Sequence, residues 1–444
     1  LLKLTTELIE AKAWYHLAKR IENDVEKKQA LQGWKLTVKK MGKTGTGKNV
    51  PRLRKEAQKL IAKCQSAVPA WIMPINKALE SLDPKHNKFD VVIIDEASQS
   101  DVSALAIMYL ANRIIIVGDD EQVSPMGIGV ETDKIESLKD THIKGIIPNY
   151  HLYDLRTSLY DLAKTTFPVI MLREHFRCVP EIIQYSNKLS YDWKIKPLRD
   201  NSTSKLKPAT IAYRVAGKRD EKRKINLVEA QNIAALLIAC SQLPEYEKAT
   251  FGVISLLGEE QAFLIDELLR KHMTPLEYEK RKILCGNAAH FQGDERDVIF
   301  LSLVDSTSAE GGVLKRTGEG VESSTKKRYN VAVSRARDQL WVVHSMDLNY
   351  LQPGDMRRDL IEYAQDPYNV LNKIEELQSR GESPFEQAVI RDLVSRGYHV
   401  IPQYQVGAYR IDLVVVSGQN KIAIECDGDQ YHSGEEKVRE DMER

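Results

Sequence analysis

The chain has 444 residues, 42% of them hydrophobic and 29% charged, with a formal net charge of +1. That length supports two to four domains with proper cores, and the composition is globular rather than fibrous or disordered. A charge so near zero excludes a global field for nucleic acid, so any such binding has to come from local patches. No apolar run is long enough to span a membrane. The five cysteines, Cys64, Cys178, Cys240, Cys285 and Cys426, are odd in number, scattered and free of CxxC spacing. They point to a reducing compartment, here the cytoplasm, and away from a zinc site. A start at Leu1 without a basic-then-apolar leader reads as a fragment, with further catalytic parts expected upstream.

Leu4, Leu8, Trp14, Leu17 and Ile21 recur at helical spacing, so residues 1–26 are expected to form a helix whose apolar side serves core packing. From Lys35 to Lys63 basic residues greatly outnumber acids; the run is either a solvated helix face or a binding patch. Within it, Gly42 to Asn49 (GKTGTGKN) fits GxxxxGK but ends in Asn49, not Ser or Thr. A phosphate loop needs that hydroxyl for Mg²⁺ and a buried strand before it. The upstream GWKLTVKKM is too polar for such a strand, so Lys48 is assigned to a basic loop before a helix. Ala67 to Pro74 (AVPAWIMP) reads as an apolar linker lining a sheet.

Phe89 to Pro125 is the stretch the rest is organised around: strand, acidic turn, helix, strand, polar turn. Val91 to Ile94 is a β-branched apolar run of the kind expected in a fully buried parallel strand. Asp95 and Glu96 sit where it ends. Arg113 to Val117 repeats the device and delivers Gly118-Asp119-Asp120-Glu121-Gln122. Ligands of open parallel sheets bind beyond the carboxyl ends of strands. An Asp there can hold Mg²⁺ through water, and the adjacent Glu can orient or deprotonate an attacking water. The alternative is that these acids only solvate their turns.

Further on, residues 134–149 read as a surface loop, 153–166 as a helix, 169–172 as a strand, 227–240 as an amphipathic helix and 250–256 as a strand. Val298 to Leu301 is another buried strand after a glycine turn. Residues 310–327 are rich in Gly, Ser and charge and are expected to be mobile. Arg328 to Val343 is a helix running into a strand and carries Arg335 and Arg337. Alternating strands and helices from Phe89 to His344 argue for an α/β architecture.

Five segments then carry a resemblance: DEASQ (Asp95 to Gln99), GDDEQVSP (Gly118 to Pro125), LREHFRCVPEI (Leu172 to Ile182), HFQGDERDVIFLS (His290 to Ser302) and YNVAVSRAR (Tyr329 to Arg337). They stand in the order of the superfamily 1 helicase motifs, and they look most like the subgroup typified by the nonsense-mediated-decay RNA helicase. The resemblance covers roughly Phe89 to Met346. It implies two RecA-like domains with ATP in the cleft between them. It also implies Asp95 as the Mg²⁺ holder, Glu96 as the catalytic base and Gln122 as the γ-phosphate sensor. Arg177 and Arg335 would be arginine fingers, while Gly293 and Glu295 would contact nucleotide and couple it to the strand. An Arg at the transition state offsets the negative charge of phosphoryl transfer. The departure from the family is the missing phosphate loop before DEASQ, which is expected to precede Leu1.

The last segment has a different character. Ser383 caps a helix that begins at Pro384 and carries Glu386. Residues 409–416 and 421–428 read as a hairpin around Ser417 to Asn420, facing Asp412 toward Glu425. This segment resembles the restriction-endonuclease-like fold, in the branch related to very-short-patch repair endonucleases, as Glu386, Asp412, Glu425, Asp427 and His432. The resemblance implies one divalent metal held by Asp412 and Glu425, with Asp427 completing an acidic cluster and His432 activating water. The usual lysine two places after the acid is replaced by Asp427, and the chain stops at Arg444 short of a complete domain. Acids merely decorating a hairpin is the competing reading.

The expected fold is α/β: two RecA-like parallel-sheet domains, a helical N-terminal segment and a small C-terminal α/β restriction-endonuclease-like domain. Its expected parts are residues 1–80 (helical and basic, the remainder of a truncated first motor domain or its insertion), 81–165, 166–365 and 380–444. The expected activity is an ATP- and Mg²⁺-dependent helicase or translocase fused to a metal-dependent nuclease, in bacterial defence or DNA processing. The expected partner is nucleic acid, DNA ahead of RNA, with a single strand in the motor, no membrane and an oligomer left open. The rivals are a nucleic-acid-binding module with an inactive nuclease fold, and an RNA helicase without nuclease activity.

Overall fold

Parallel strands need a crossover of a dozen or more residues, and the parallel pairs of this computed structural model meet that need on both sides of residue 169. It describes residues 2–42, 47–123, 132–154, 157–200, 203–220, 222–307, 314–317, 324–367, 381, 383–395, 399–406, 409–417 and 420–426. The chain divides into two compact units, 1–120 with 124–169, and 121–123 with 170–444.

The first unit contains α1 (Leu2–Glu22), α2 (Val25–Met41), α3 (Val50–Cys64), α4 (Ile75–Ser81), β1 (Phe89–Ile94), α5 (Leu105–Met108), β2 (Ala111–Ile116), α6 (Thr132–His142) and α7 (Leu159–Lys164). Asp24 caps α2 by accepting from the Lys27 N–H at 3.0 Å, and Pro51 opens α3 in its first turn. Met41 of α2 joins Val50 and Ala57 of α3 in a small core, with Trp34, Val38 and Leu53 packed against it. β1 and β2 pair in parallel, Val91 opposite Arg113 and Ile94 opposite Ile116. One face of this pair, through Val92, Ile94 and Ile116, joins Ile61, Ile107 and Leu159 in the main core. Trp71 of the apolar linker packs against that core too, edge-on to Trp34, whereas Ile72 is fully exposed.

Four expectations fail in this unit. Val91 and Ile93 are not buried: Ile93 is 64% exposed, as are Ile115 and Val117 in part, because no layer of the described residues covers that face of β1 and β2. Leu4, Leu8 and Trp14 of α1 are exposed rather than core, Leu4 by 69%. Residues 134–149 are not all loop, since α6 occupies the first part. Its helix carries Asp133 in the first turn, Lys139 and His142 in the last, and an ion pair between Glu136 and Lys139, charge signals that apolar periodicity does not register. The helix expected over 153–166 contracts to α7, because Ser158 and Asp161 form a capping box that starts it there.

The second unit contains β3 (Glu174–His175), α8 (Pro180–Ser190), β4 (Lys196–Pro197), β5 (Thr210–Arg214), α9 (Leu227–Gln242), β6 (Phe251–Ser255), α10 (Glu260–His272), α11 (Pro275–Lys280), β7 (Leu284–Asn287), β8 (Arg296–Ser306), α12 (Ser324–Ser334), β9 (Ala336–Ser345) and α13 (Met356–Gln365). Five strands form one parallel sheet in the order β5-β9-β8-β6-β7. Alternate residues feed two cores. Ile299 and Leu301 meet α8, α12 and α13 through Ile182, Val331 and Leu360. Val298 and Phe300 meet α9 and α10 through Ile233, Leu237, Ile265 and Leu269. Helices on both faces are why these strands read as continuous apolar runs. The strand expected at 169–172 is absent, and Ile170 and Leu172 are exposed; the pairing falls on Glu174–His175 instead. Of the segment expected to be mobile, residues 308–313 and 318–323 lie outside the described residues. Leu314 and Thr317 are tied down, their N–H groups donating to Tyr350 O and an Asp355 carboxylate oxygen.

The same unit ends in α14 (Pro384–Ser395), β10 (His399–Val406), β11 (Tyr409–Ser417) and β12 (Asn420–Ile424), an antiparallel sheet in chain order. Ile390, Val400, Leu413 and Val415 form its core. The β11–β12 hairpin closes at Ser417 opposite Asn420, as its turn residues predict. β10 had no counterpart in the sequence reading; Pro402 and a left-handed Gln403 (φ 53°) interrupt its pattern.

Candidate active-site residues

Asp95 and Glu96 follow β1 at its carboxyl end. The Glu96 N–H donates to Asp95 Oδ1 at 2.9 Å, and Gln99 Nε2 donates to Glu96 Oε2 at 2.8 Å. Glu96 is left-handed (φ 52°, ψ 37°), a conformation that costs a non-glycine residue about 1 kcal/mol or more and collects at functional sites. The turn is held by Ala97 N donating to Val117 O at 2.9 Å. Asp119 N, after β2, donates to Ser98 Oγ at 3.4 Å, so the two strand ends are joined. Gly118 is required there, since a Cβ would lie 2.7 Å from the Tyr160 ring and 3.1 Å from Ser98 N. Asp120 is ion-paired with Lys164.

In the second unit, Arg335 is the single residue between α12 and β9, and it is 2% exposed. Its Nη2 donates to Gln122 Oε1 at 2.9 Å. Residues 121–123 are held in this unit by three further contacts. Asn330 Nδ2 donates to Glu121 O at 3.0 Å, Gln292 Nε2 donates to Val123 O at 3.3 Å, and Lys326 pairs with Glu121 at 2.8 Å. Glu295 sits between two other arginines, 2.5 Å from Arg177 Nε and 3.6 Å from Arg337 Nη1, and Arg337 also reaches Asp297 at 3.7 Å. Gly293, two residues before Glu295, has φ 78°, the left-handed region that favours glycine. Burial, with Arg177 beside it, pushes His175 down to about 4. Its Nε2 is therefore a neutral acceptor at pH 7 and takes the Cys178 N–H at 3.0 Å.

Glu229 was missed by the sequence reading. It lies in the first turn of α9, fully buried, and accepts from Ser302 Oγ, Val304 N, Ser345 Oγ and Asn226 Nδ2 at 2.8, 2.9, 2.9 and 3.3 Å. Burial pushes it up to about 7. The Asn226-x-x-Glu229 spacing is a cap signal, which could have located the helix start but not the cluster at the ends of β8 and β9.

In the C-terminal sheet, Asp412 precedes the Leu413–Ile424 pair and Glu425 follows it, so the hairpin register brings the two together. Asp412 Oδ2 accepts from the Cys426 N–H at 2.8 Å. Glu386 is buried and accepts from Gln403 Nε2 at 2.8 Å. Asp427 and His432 lie outside the described residues. Among the described residues no group of three or more His, Cys, Asp or Glu is placed to hold a metal, and no helix is long and apolar enough to cross a membrane. All five cysteines are free. Lys48 is exposed in a turn that follows helix α2 rather than a strand, and Lys35, Lys39, Arg52, Lys55 and Lys59 are likewise exposed.

Two family models, both described as an AAA domain, match residues 5–128 and 155–347 and together take in most of the chain; a third, REase_MTES_1575, matches residues 385–444. "Uncharacterized ATP-dependent helicase MG140" of Mycoplasma genitalium is 28% identical over 61% of this chain and 24% of its own length. "Helicase sen1" of Schizosaccharomyces pombe is 27% identical over 78% of this chain and 20% of its own. "DNA polymerase alpha-associated DNA helicase A" of Saccharomyces cerevisiae is 27% identical over 60% of this chain and 40% of its own. The chain thus spans about a quarter of the Mycoplasma relative and a fifth of the fission-yeast one. A solved complex of an arterivirus nonstructural protein 10 helicase with DNA aligns at 14% identity and TM-score 0.28, over 69% of this chain and 54% of that one, a likeness that carries no argument here.

Proposed function

The chain belongs to the superfamily 1 helicases and carries a restriction-endonuclease-like C-terminal segment, and from that premise we propose that it hydrolyses ATP to move along nucleic acid and cuts DNA with the C-terminal segment. The observation that supports the motor reading best is the arginine set of the second unit: Arg335 on Gln122, and Arg177 and Arg337 flanking Glu295. Fixed guanidinium groups offset charge that develops on a transferring phosphoryl group, and Gln122 gives that set a polar side chain to report on its occupancy. Glu96, held by Gln99, serves as the base toward an attacking water, and Asp95 stands beside it at the strand end.

Asp95 offers a hard carboxylate oxygen at an exposed strand terminus, which fits Mg²⁺, an ion usually bound by one or two carboxylates plus phosphates and water. Asp412 and Glu425 offer the same donor type. Bound there, Mg²⁺ would offset phosphate charge and acidify a water. DNA is placed ahead of RNA because the nuclease-like segment belongs with DNA cleavage and one relative is named a DNA helicase; the setting is defence or DNA processing in the cytoplasm.

A second reading keeps the motor and makes the C-terminal segment a binding module. It is favoured by Asp412, one of whose oxygens is already engaged by the Cys426 N–H. The deciding measurement for the motor is ATP hydrolysis with and without single-stranded DNA. Turnover stimulated by the strand, and lost in Glu96→Gln, supports it; turnover indifferent to both discards it.

A further inference from the structure

Arg199 lies just after β4, outside every motif that marks the motor, with only 13% of its side chain exposed. Its Nη1 donates to two backbone carbonyls at 2.8 Å each, those of Arg177 and Arg337. Its Nη2 is paired with the Asp338 carboxylate, and its Nε donates to Thr203 Oγ1 at 3.2 Å. The β3–β4 pairing delivers it, with Leu198 N donating to His175 O at 2.8 Å. Two further bonds stitch the same segments together: Val179 N to Arg337 O at 2.9 Å and Cys178 Sγ to Ser334 O at 3.3 Å.

We propose that Arg199 is a positioning residue that fixes the backbones carrying Arg177, Arg335 and Arg337 in one arrangement. The inference rests on the reading of Arg177 and Arg335 as groups that meet a transferring phosphoryl group. Three cations brought together repel one another, and Glu295, Asp297 and Gln122 are among the groups set against them. Neutralising their charge does not set the spacing of the two segments, which are distant in sequence. A planar guanidinium that donates to both carbonyls at once does set it, because its donors stand in a fixed fork. A lysine is a point donor on a flexible stem; it can keep the pairing with Asp338 but not the shared geometry.

The test compares Arg199→Ala, Arg199→Lys and Asp338→Asn with Arg177→Ala and Arg335→Ala in the full chain, reading strand-stimulated kcat, KM for ATP and the thermal midpoint. A displacement of about 1 Å at reacting groups costs on the order of a hundredfold in rate. Arg199→Ala and Arg199→Lys are therefore expected to lose about ten- to a hundredfold in kcat, with KM within about threefold. Asp338→Asn, which leaves both carbonyl bonds in place, loses less than about threefold. If Arg199→Ala does not fold, Arg199→Lys, which retains the charge, decides. Wild-type kcat in Arg199→Lys, or an equal loss in Asp338→Asn, reduces Arg199 to a partner of an ordinary ion pair. Loss in the Arg177 and Arg335 variants without loss in Arg199→Ala overturns the positioning role alone. Wild-type turnover in those two overturns it together with the reading it rests on.

Discussion

Gln122 and Arg335 stand 213 residues apart in the chain and are joined by a 2.9 Å hydrogen bond from the Arg335 guanidinium to the Gln122 side-chain oxygen. Arg335 is buried at the joint of α12 and β9, so its guanidinium depends on acceptors close by. Leaving a buried hydrogen-bonding group without its partner costs on the order of 1–3 kcal/mol, and more where the group is charged.

Gln122→Ala is accordingly expected to slow strand-stimulated ATP hydrolysis by about ten- to a hundredfold and to lower the thermal midpoint. Glu96→Gln should leave ATP binding nearly intact and slow hydrolysis by about two to four orders of magnitude, as loss of a general base does. Arg335→Ala should slow it similarly through lost transition-state charge. Steady-state turnover together with nucleotide binding by titration checks all three; full activity in Glu96→Gln and Arg335→Ala removes these residues from the chemistry.

Lys48 follows a helix, sits in an exposed turn and is trailed by Asn49 rather than a hydroxyl residue. Lys48→Ala should therefore change ATPase activity by less than about threefold. If the basic stretch from Lys35 to Lys63 touches phosphates, the slope of log affinity against log salt should fall by about 0.7 for a single strand. Abolished ATP binding in this variant would show that GKTGTGKN is a working phosphate loop after all.

Asp412 and Glu425 flank the last pair of the β11–β12 hairpin, beside the small apolar core of that sheet. Asp412→Ala should abolish Mg²⁺- or Mn²⁺-dependent cutting of plasmid or oligonucleotide DNA while ATP hydrolysis continues. Equal cutting by wild type and variant, or none by either on any DNA, leaves the segment as a binding module.

Glu229 gives the pH prediction. Its folded value of about 7 lies above the ordinary 4.5 because burial opposes its charge. The folded state therefore binds more protons than the unfolded state between those values, and stability from this group falls as pH rises through 7. Relative to Glu229→Gln, the wild type should gain roughly 2–3 kcal/mol as pH drops from 8 to 5, at about 1.4 kcal/mol per unit. Urea unfolding of both proteins across that range measures it, and a difference that does not change with pH refutes the assignment. His344, buried and pushed down to about 4, contributes in the opposite sense in both proteins, losing stability as pH falls from 6.5 toward 4, so it cancels in the comparison.

The α/β alternation, the parallel strands of the second unit, the hairpin at Ser417–Asn420 and the placing of Asp95 and Glu96 after a strand are legible in the residues. These follow from local rules: β-branched runs, turn residues and caps act within a few positions of themselves. The sequence also holds the Ser158 and Asp161 capping box, which outweighs the longer apolar pattern that suggests a helix from 153. Folding alone brings Glu295 between Arg177 and Arg337, Gln122 to Arg335, and Arg199 to two arginine-bearing backbones. Folding also leaves Ile93 exposed and Phe300 buried, although both sit in apolar β-branched or aromatic runs. Periodicity records which side chains favour leaving water. Which neighbour receives them, and which charges then face each other, depends on strand order and on layers supplied by distant parts of the chain.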